Sequence, residues 1–311
     1  MHIRRTVLGG CLHLSNIFGP VPSRRLGRSL GLDITPYKTC TFDCVYCQIG
    51  RTTNKTVQRM DYIPKNLVLS ELKDFLDMEE DIDYITFSGS GEPTLHSGIG
   101  EMINDIKSMT DIPVAVLTNG SLLLREDVRK DLLSADVVLP SLDAASESVF
   151  HAVNRPHESL GIREIIDGLR VFRKVFENEL WLEIMFVKGM NDWIDEITAL
   201  SDAVCEIDPD RIQLNTVVRP PCEDVEPVDE DGMIRICREF GGDAEIIAEQ
   251  RIEVHPEILP LLQRRPLTIE EISESLGIHR NEVVKHLRGL KEGGKIVETV
   301  HAGKRYLGVK M

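Results

Sequence analysis

Three cysteines, Cys40, Cys44 and Cys47, fall within eight residues of one another, shortly after the apolar run Leu30–Ile34. The other four, Cys11, Cys205, Cys222 and Cys237, are scattered singly. Secreted disulfide frameworks belong to short, cysteine-dense chains, and this one has 311 residues. Cys40-x3-Cys44-x2-Cys47 therefore reads as a metal site in a reducing compartment. Thiolates are soft ligands that suit iron–sulfur clusters or zinc. A structural zinc site takes four protein ligands in paired spacings, yet no fourth Cys or His lies nearby, Cys11 and His96 being distant in sequence. Three thiolates on a four-iron cluster leave one iron open to bind a further molecule directly.

The pattern around the cysteines alternates. Leu30–Ile34, Tyr84–Phe87, Val114–Leu117, Val137–Pro140, Leu182–Val187 and Arg211–Val217 read as strands, several of them apolar throughout, as strands covered on both faces are. Helical patterns are expected over Leu67–Leu76, Ile99–Met109, Arg125–Leu133, Ile162–Phe176 and Ile194–Val204. In the fourth, Ile162, Ile165, Ile166, Leu169, Phe172 and Phe176 share one face. Repeated βα units imply a parallel sheet with right-handed crossovers. Six units fall short of an eight-stranded barrel, so the fold class expected is α/β, an open partial (β/α)6 barrel. Turn signals at Ser88-Gly89-Ser90-Gly91, Thr118-Asn119-Gly120 and Arg219-Pro220-Pro221 follow strands, where such folds carry their chemistry. Glu183 and Asn215 interrupt apolar strands. Burying either unpaired would cost about 1–3 kcal/mol, so each needs a partner from ligand or protein. The acidic run Glu223–Asp231 reads as a solvated connector.

Charge divides the chain. From His255 to Met311 ten lysines and arginines face seven glutamates, a net of +3, whereas the preceding 254 residues carry −18. After Arg265-Pro266, Thr268 can cap a helix Ile269–Leu276, ended by Gly277. A second helix, Arg280 to Glu292, stops at Gly293-Gly294, and strands Lys295–Val300 and Arg305–Val309 flank the turn Ala302-Gly303. Helix, helix and hairpin make the pattern of a winged helix-turn-helix, its core expected from Ile269, Ile272, Leu276, Val283, Leu287, Leu290 and Ile296. The expected organisation is an N-terminal extension over 1–16, the barrel over 17–250 and the winged helix over 251–311. No run of about 18 apolar residues occurs, so no membrane span is expected. Leu8-Gly9-Gly10-Cys11 looks like a lipoprotein cleavage box, but only Thr6 and Val7 separate it from Arg4-Arg5. A signal needs roughly 7–15 apolar residues there, and a cytoplasmic protein is the expectation.

The spacing Cys40-x3-Cys44-x2-Cys47 resembles that of the radical S-adenosylmethionine (SAM) superfamily. The resemblance implies a [4Fe–4S] cluster whose open iron chelates the amino and carboxylate groups of SAM. One electron then breaks a carbon–sulfur bond and gives a 5′-deoxyadenosyl radical. It implies further that Tyr46, just before the third cysteine, lies beside the adenine. Ser90-Gly91-Glu92 stands where the family carries a Gly-Gly-Glu-type motif, with backbone close to the ligand and the Glu92 carboxylate receiving the methionyl ammonium. Serine replaces the first glycine here. Asn119, Ser141 and Asp143 sit where related enzymes contact the SAM carboxylate or ribose; Asn and Asp also serve such turns for local hydrogen bonds. Arg24, Arg25, Arg28 and Arg155 are candidates for phosphate or carboxylate groups at the barrel mouth, or else surface charge. Cys222 is a candidate hydrogen donor or nucleophile, or else a structural thiol.

Gly19 to Gly31, together with Thr39 to Cys47, resembles the archaeal and bacterial radical SAM proteins related to the tRNA wyosine (4-demethylwyosine) synthases, over roughly residues 17 to 250. Those synthases carry additional N-terminal cysteines, and here only Cys11 precedes the motif. The implied activity is tRNA modification, fed by a reductant such as ferredoxin or flavodoxin. Arg280, Asn281, Lys285, His286, Arg288 and Lys291, with Lys304 and Arg305 on the wing, are the expected phosphate contacts. Two other readings stay open: a radical enzyme acting on a protein or small molecule, and a transcription regulator that senses the cluster or SAM.

Overall fold

The computed structural model describes residues 16–77, 81–219, 221–242, 244–247, 258–276, 278, 280–301 and 304–309. The expected extension up to residue 15, Pro220, Gly277, the turn Ala302-Gly303 and the side chains of Asn281, Lys285 and Arg288 lie outside the described residues.

The first described element is an antiparallel hairpin, β1 (Ile17–Ser23) and β2 (Gly27–Leu32). The cysteine segment follows, its base closed by a two-residue parallel ladder of β3 (Thr39–Cys40) and β4 (Asn54–Lys55). Then come α1 (Lys65–Leu76), β5 (Tyr84–Phe87), α2 (Ile99–Met109), β6 (Val114–Thr118), α3 (Glu126–Leu132), β7 (Val137–Pro140), α4 (Glu147–Val153) and α5 (Ile162–Arg173). The series ends with β8 (Glu179–Phe186), α6 (Ile194–Ile207), β9 (Arg211–Thr216), α7 (Glu230–Glu239) and β10 (Ala244–Ile246). These build one eight-stranded sheet in the order β1-β2-β5-β6-β7-β8-β9-β10, parallel from β2 onward.

Burial explains why the pattern was readable. The strands β5, β6 and β7 are buried almost throughout, so they need apolar residues at consecutive positions. Helix α5 buries Ile162, Ile165, Ile166, Leu169 and Phe172 at helical spacing against the sheet. Each such side chain contributes about 1.5–3 kcal/mol on leaving water, so Phe172→Ala alone would cost about 3–5 kcal/mol. On the face of the sheet opposite the main core a second apolar cluster gathers Leu26, Ala115, Val137, Leu139 and Trp181. Leu26 comes from the β1–β2 turn, which therefore reaches from the sheet's first edge to β8.

The sheet has two strands more than the six units expected. β1 contains Pro20 and Pro22, tolerable because it is an edge strand, and β10 is only three residues long. The acidic run is a loop up to Val228, but α7 begins inside it at Glu230, capped by the Asp229 carboxylate accepting from Gly232 N at 2.7 Å.

A separate core lies in the last part of the chain, formed by α8 (Ile258–Arg264), α9 (Ile269–Leu276), α10 (Arg280–Glu292) and the hairpin β11 (Ile296–His301) with β12 (Lys304–Val309). Thr268 Oγ1 accepts from Glu271 N at 3.2 Å while Glu271 Oε2 accepts from Thr268 N at 2.8 Å, a reciprocal cap at the start of α9. All seven residues expected in this core are in it or packed against it. α8 was not expected.

Candidate active site

The segment from Cys40 to Asn54 loops out at the C-terminal ends of the parallel strands. Cys47 N donates to Cys44 O and Gly50 N to Cys47 O. The end of α4 pins it: Asp43 N donates to Asn154 O and Val45 N to Val153 O, both at 3.0 Å. Phe42 is buried edge-on against Phe150, with ring centroids 5.3 Å apart. At the loop's far side the Asp43 carboxylate accepts from Thr52 N and Arg51.

Each of the three thiols meets one side-chain N–H. Lys38 Nζ donates to Cys47 Sγ at 3.0 Å, Asn119 Nδ2 to Cys40 Sγ at 3.5 Å, and Asn154 Nδ2 to Cys44 Sγ at 3.5 Å. Burial, then Glu92, pushes the Cys40 thiol up to about 12; burial, Asp143 and the other two thiols push Cys44 well above its ordinary value. Burial would lower the Lys38 ammonium, but the neighbouring sulfurs outweigh it and raise it. Among the described residues, no three His, Cys, Asp or Glu side chains gather as ligands of a single ion. The fit to an iron–sulfur cluster rests instead on donor chemistry: three sulfurs on one loop, each met by a hydrogen-bond donor, as thiolates want and neutral thiols do not require.

Ser90, Gly91 and Glu92 sit beside this loop for reasons the sequence had not given. A Cβ on Gly91 would lie 2.1 Å from Thr39 O, so the glycine lets backbone approach backbone, and Glu92 N donates to that same oxygen at 3.0 Å. Ser90 is buried with N and Oγ both on Asp33 Oδ2, at 3.0 and 2.6 Å, which is why serine stands in the motif. Glu92 has partners within the protein. Its buried carboxylate already accepts from Thr94 N, Thr94 Oγ1, Thr118 Oγ1 and Asn119 N, between 2.6 and 3.1 Å. It braces the loops after β5 and β6. Burial raises its pKa despite these four donors.

Asn119 is turned toward the cysteines: besides Cys40, its Nδ2 donates to Thr41 Oγ1 at 2.7 Å. Tyr46 and Asp143 are brought together, the phenol donating to Asp143 Oδ2, which also accepts from Asn154 Nδ2 at 2.6 Å, while Oδ1 accepts from Met185 N at 2.9 Å. Burial pushes the Asp143 carboxyl up to about 6, against these donors. Ser141 lies next to it, bridged by backbone to Glu183.

Cys222 and the arginines of the mouth also have partners within the protein. Cys222 is buried with Sγ 3.4 Å from Cys44 O and 3.3 Å from Val45 O, and its N donates to Cys47 O at 3.1 Å. Its thiol braces the cysteine loop, an arrangement that favours the structural reading over that of hydrogen donor or nucleophile. The arginines of the mouth are engaged as well. Arg25 pairs with Glu183, Arg24 donates to Asn215 Oδ1 at 3.1 Å, Arg155 is bidentate on Glu223, and Arg28 sits by Asp81. Glu183 and Asn215 thus find protein partners. Lys38 and Asn154 were missed as neighbours of the sulfurs.

The C-terminal core packs against the outer face of the cysteine loop. Arg280 lies over the Tyr37 ring at 4.1 Å, and Arg305 donates to Cys222 O. Between the two lies a cavity of about 690 Å³, lined by Tyr37, Arg51 and Cys222 on one side and Glu270, Lys291 and Arg305 on the other. Two of the expected phosphate contacts therefore touch the cysteine loop and its brace.

A radical SAM superfamily model matches residues 34–200, more than half of the chain. A protein of Brachyspira hyodysenteriae named GTPase Obg is 36% identical over 94% of this chain, which spans only 45% of that protein. The UPF0026 protein MJ1312 of Methanocaldococcus jannaschii is 33% identical over 92% of this chain and 94% of its own length. Among solved structures, a radical SAM methyltransferase from Sphaerobacter thermophilus shares the fold with a TM-score of 0.52 at 14% identity, covering 74% of this chain and 68% of that one. Members of this family bind a [4Fe–4S] cluster and SAM. No helix among the described residues is long and apolar enough to cross a membrane. With its sheet, its thiol loop and the match over that same region, the chain belongs to the radical SAM superfamily of enzymes.

Proposed function

We propose that Cys40, Cys44 and Cys47 hold a [4Fe–4S] cluster with one iron open, and that the chain cleaves SAM reductively to modify an RNA, in particular a tRNA. When bound, the cluster supplies the electron that breaks a carbon–sulfur bond of SAM to leave a 5′-deoxyadenosyl radical. The observation that carries the reading is the N–H donor meeting each of the three sulfurs. In this reading Tyr46 flanks the adenine, held by Asp143, while Asn119, Ser141 and the Ser90–Glu92 backbone bound the rest of the SAM site. A ferredoxin- or flavodoxin-type donor supplies the electron.

The RNA half of the proposal rests on the likeness to the wyosine-forming group and on residues 251–311, read as a winged helix that docks nucleic acid beside the barrel of residues 17–250. One observation favours a second reading, a protein or small-molecule substrate: Arg280 stacks on Tyr37 of the barrel, and Arg305 spends one N–H on Cys222 O.

The test is anaerobic reconstitution with SAM and dithionite, followed by mass spectrometry of nucleosides from a deletion strain. A modified nucleoside lost on deletion and restored by complementation supports RNA; an unchanged nucleoside profile moves the case to the second reading. A protein with four irons that releases no 5′-deoxyadenosine ends both.

A further inference from the structure

Lys38 is an unusual lysine. It is 4% exposed, and its ammonium donates to Cys47 Sγ at 3.0 Å. The backbone puts it there. Lys38 has φ +54°, a left-handed conformation that non-glycine residues adopt only where their surroundings enforce it. Three bonds do so: Lys38 N donates to Ser90 O at 2.9 Å, and Lys38 O accepts from Thr53 N and Asn54 N, each at 3.1 Å. The residue is thus clamped between the motif loop after β5 and the closing end of the cysteine loop. Its side chain is directed inward, where a buried cation is costly unless a negative partner awaits it.

The other two sulfur donors are neutral. Asn119 and Asn154 are amides, one following β6 and the other closing α4, and both are also bonded to oxygens, Thr41 Oγ1 and Asp143 Oδ2. Their N···S distances are 3.5 Å against 3.0 Å for Lys38. Reduction potentials of iron–sulfur clusters depend on net charge nearby and on hydrogen bonds to the sulfurs. A fixed positive charge stabilises the state that has gained an electron, and it acts more strongly where water is excluded.

We infer that Lys38 is the positioning residue that sets the reduction potential of the cluster through Cys47, raising it so that an external one-electron donor can reduce it. The inference rests on the proposed cluster site. One electron passes from the donor to the cluster, and no proton or bond at Lys38 is exchanged.

The experiment uses the full chain, reconstituted anaerobically, as wild type, Lys38→Met and Lys38→Arg. Iron and sulfide are counted first, and the cluster is then titrated potentiometrically under EPR. At the wild-type midpoint, Lys38→Met with full iron is expected to raise the oxidised-to-reduced ratio about tenfold, equivalent to about 59 mV for a one-electron couple. Lys38→Arg is expected to recover most of that shift. A Lys38→Met cluster of full iron content whose ratio stays within twofold of wild type overturns the inference, as does an arginine variant that behaves like methionine. Should Lys38→Met take up no iron, the unmutated protein decides. Grown with 15N-lysine, its reduced cluster must show a coupled 15N signal in pulsed EPR, and absence of that signal overturns the inference. These failures leave the cysteine site standing, whereas a full cluster retained by Cys47→Ala removes both.

Discussion

The guanidinium of Arg25 is paired with the carboxylate of Glu183 on the face of the sheet that carries Trp181, with side-chain exposures of only 13% and 14%. Glu183 also accepts from Asn215 Nδ2 at 2.9 Å, and Asn215 in turn accepts from Arg24. One turn between β1 and β2 thus delivers both cations to two strands at the other side of the sheet. Buried pairs of this kind are weak stabilisers as a whole, but removing one member leaves an uncompensated charge. Arg25→Ala is expected to cost about 3 kcal/mol at neutral pH.

That loss has a signature in pH. Burial works to raise Glu183, but Arg25 and the Asn215 bond prevail and hold it below the usual carboxylate range. A depressed carboxylate contributes stability that is present above its unfolded pKa and lost as pH falls through the folded value. Without Arg25, burial gains the upper hand and the sign reverses. Urea midpoints at pH 7 and pH 5 check this: the gap between wild type and Arg25→Ala should narrow at pH 5. A gap that widens would show the pair is not what holds Glu183.

Glu92 separates bracing from ligand binding. Glu92→Ala strands two hydroxyls and two backbone N–H groups in the interior, each worth about 1–3 kcal/mol when left unsatisfied. It is expected to lose cluster retention and SAM affinity together, through misfolding. Glu92→Gln keeps an acceptor for the three bonds now made by Oε1 and surrenders only the one from Asn119 N. It should fold, hold iron, and bind SAM within about threefold of wild type by equilibrium dialysis. A tenfold or greater loss of SAM affinity in a stably folded Glu92→Gln would restore a direct ammonium contact.

Tyr46 and Asp143 are separable in the same way. The phenol's donation lowers a carboxyl that burial has lifted to about 6, so Tyr46→Phe should move that group further upward. Asp143 accepts from Tyr46 and Asn154 best when ionised, and the site tightens as pH rises through its pKa. The acidic limb of 5′-deoxyadenosine formation, measured from pH 5 to 8, is therefore expected to shift toward neutrality in Tyr46→Phe. A limb that stays in place would detach Asp143 from it.

What could be read from the residues follows from how locally each feature is determined. Buried parallel strands must be apolar at consecutive positions, so Val114–Thr118 and Val137–Pro140 were legible, and the cysteine spacing lies within one loop. β1 was hidden by its prolines, which an edge position tolerates. Glu183 announced that it needed a partner, but nothing in a single sequence tells that the partner is Arg25, 158 positions away. Lys38 has no periodicity to mark it. A lysine next to a turn reads as surface, and only its left-handed backbone turns it inward. Asn154 had one available signal, an amide following the apolar end of α4. The motif marks Glu92 as a site residue, but not the four donors on its carboxylate, which come from three different positions along the chain.

Two side chains of the C-terminal core, Arg280 and Arg305, reach the cysteine loop. Arg280 covers Tyr37, whose hydroxyl donates to Ile49 O at 2.8 Å, and Arg305 holds Cys222 O while Cys222 N holds Cys47 O. Both chains of contact end within two residues of Cys47. Loss of the core should therefore be felt in the cluster as well as in substrate capture. Arg280→Ala with Arg305→Ala removes these two contacts without removing the fold, since neither residue belongs to the apolar cluster of that region. The double variant is expected to release iron to a chelator several-fold faster than wild type, while its SAM cleavage rate, normalised to bound iron, is unchanged. Iron release at the wild-type rate would mean that the contacts do not support the loop. The C-terminal core would then act on substrate alone.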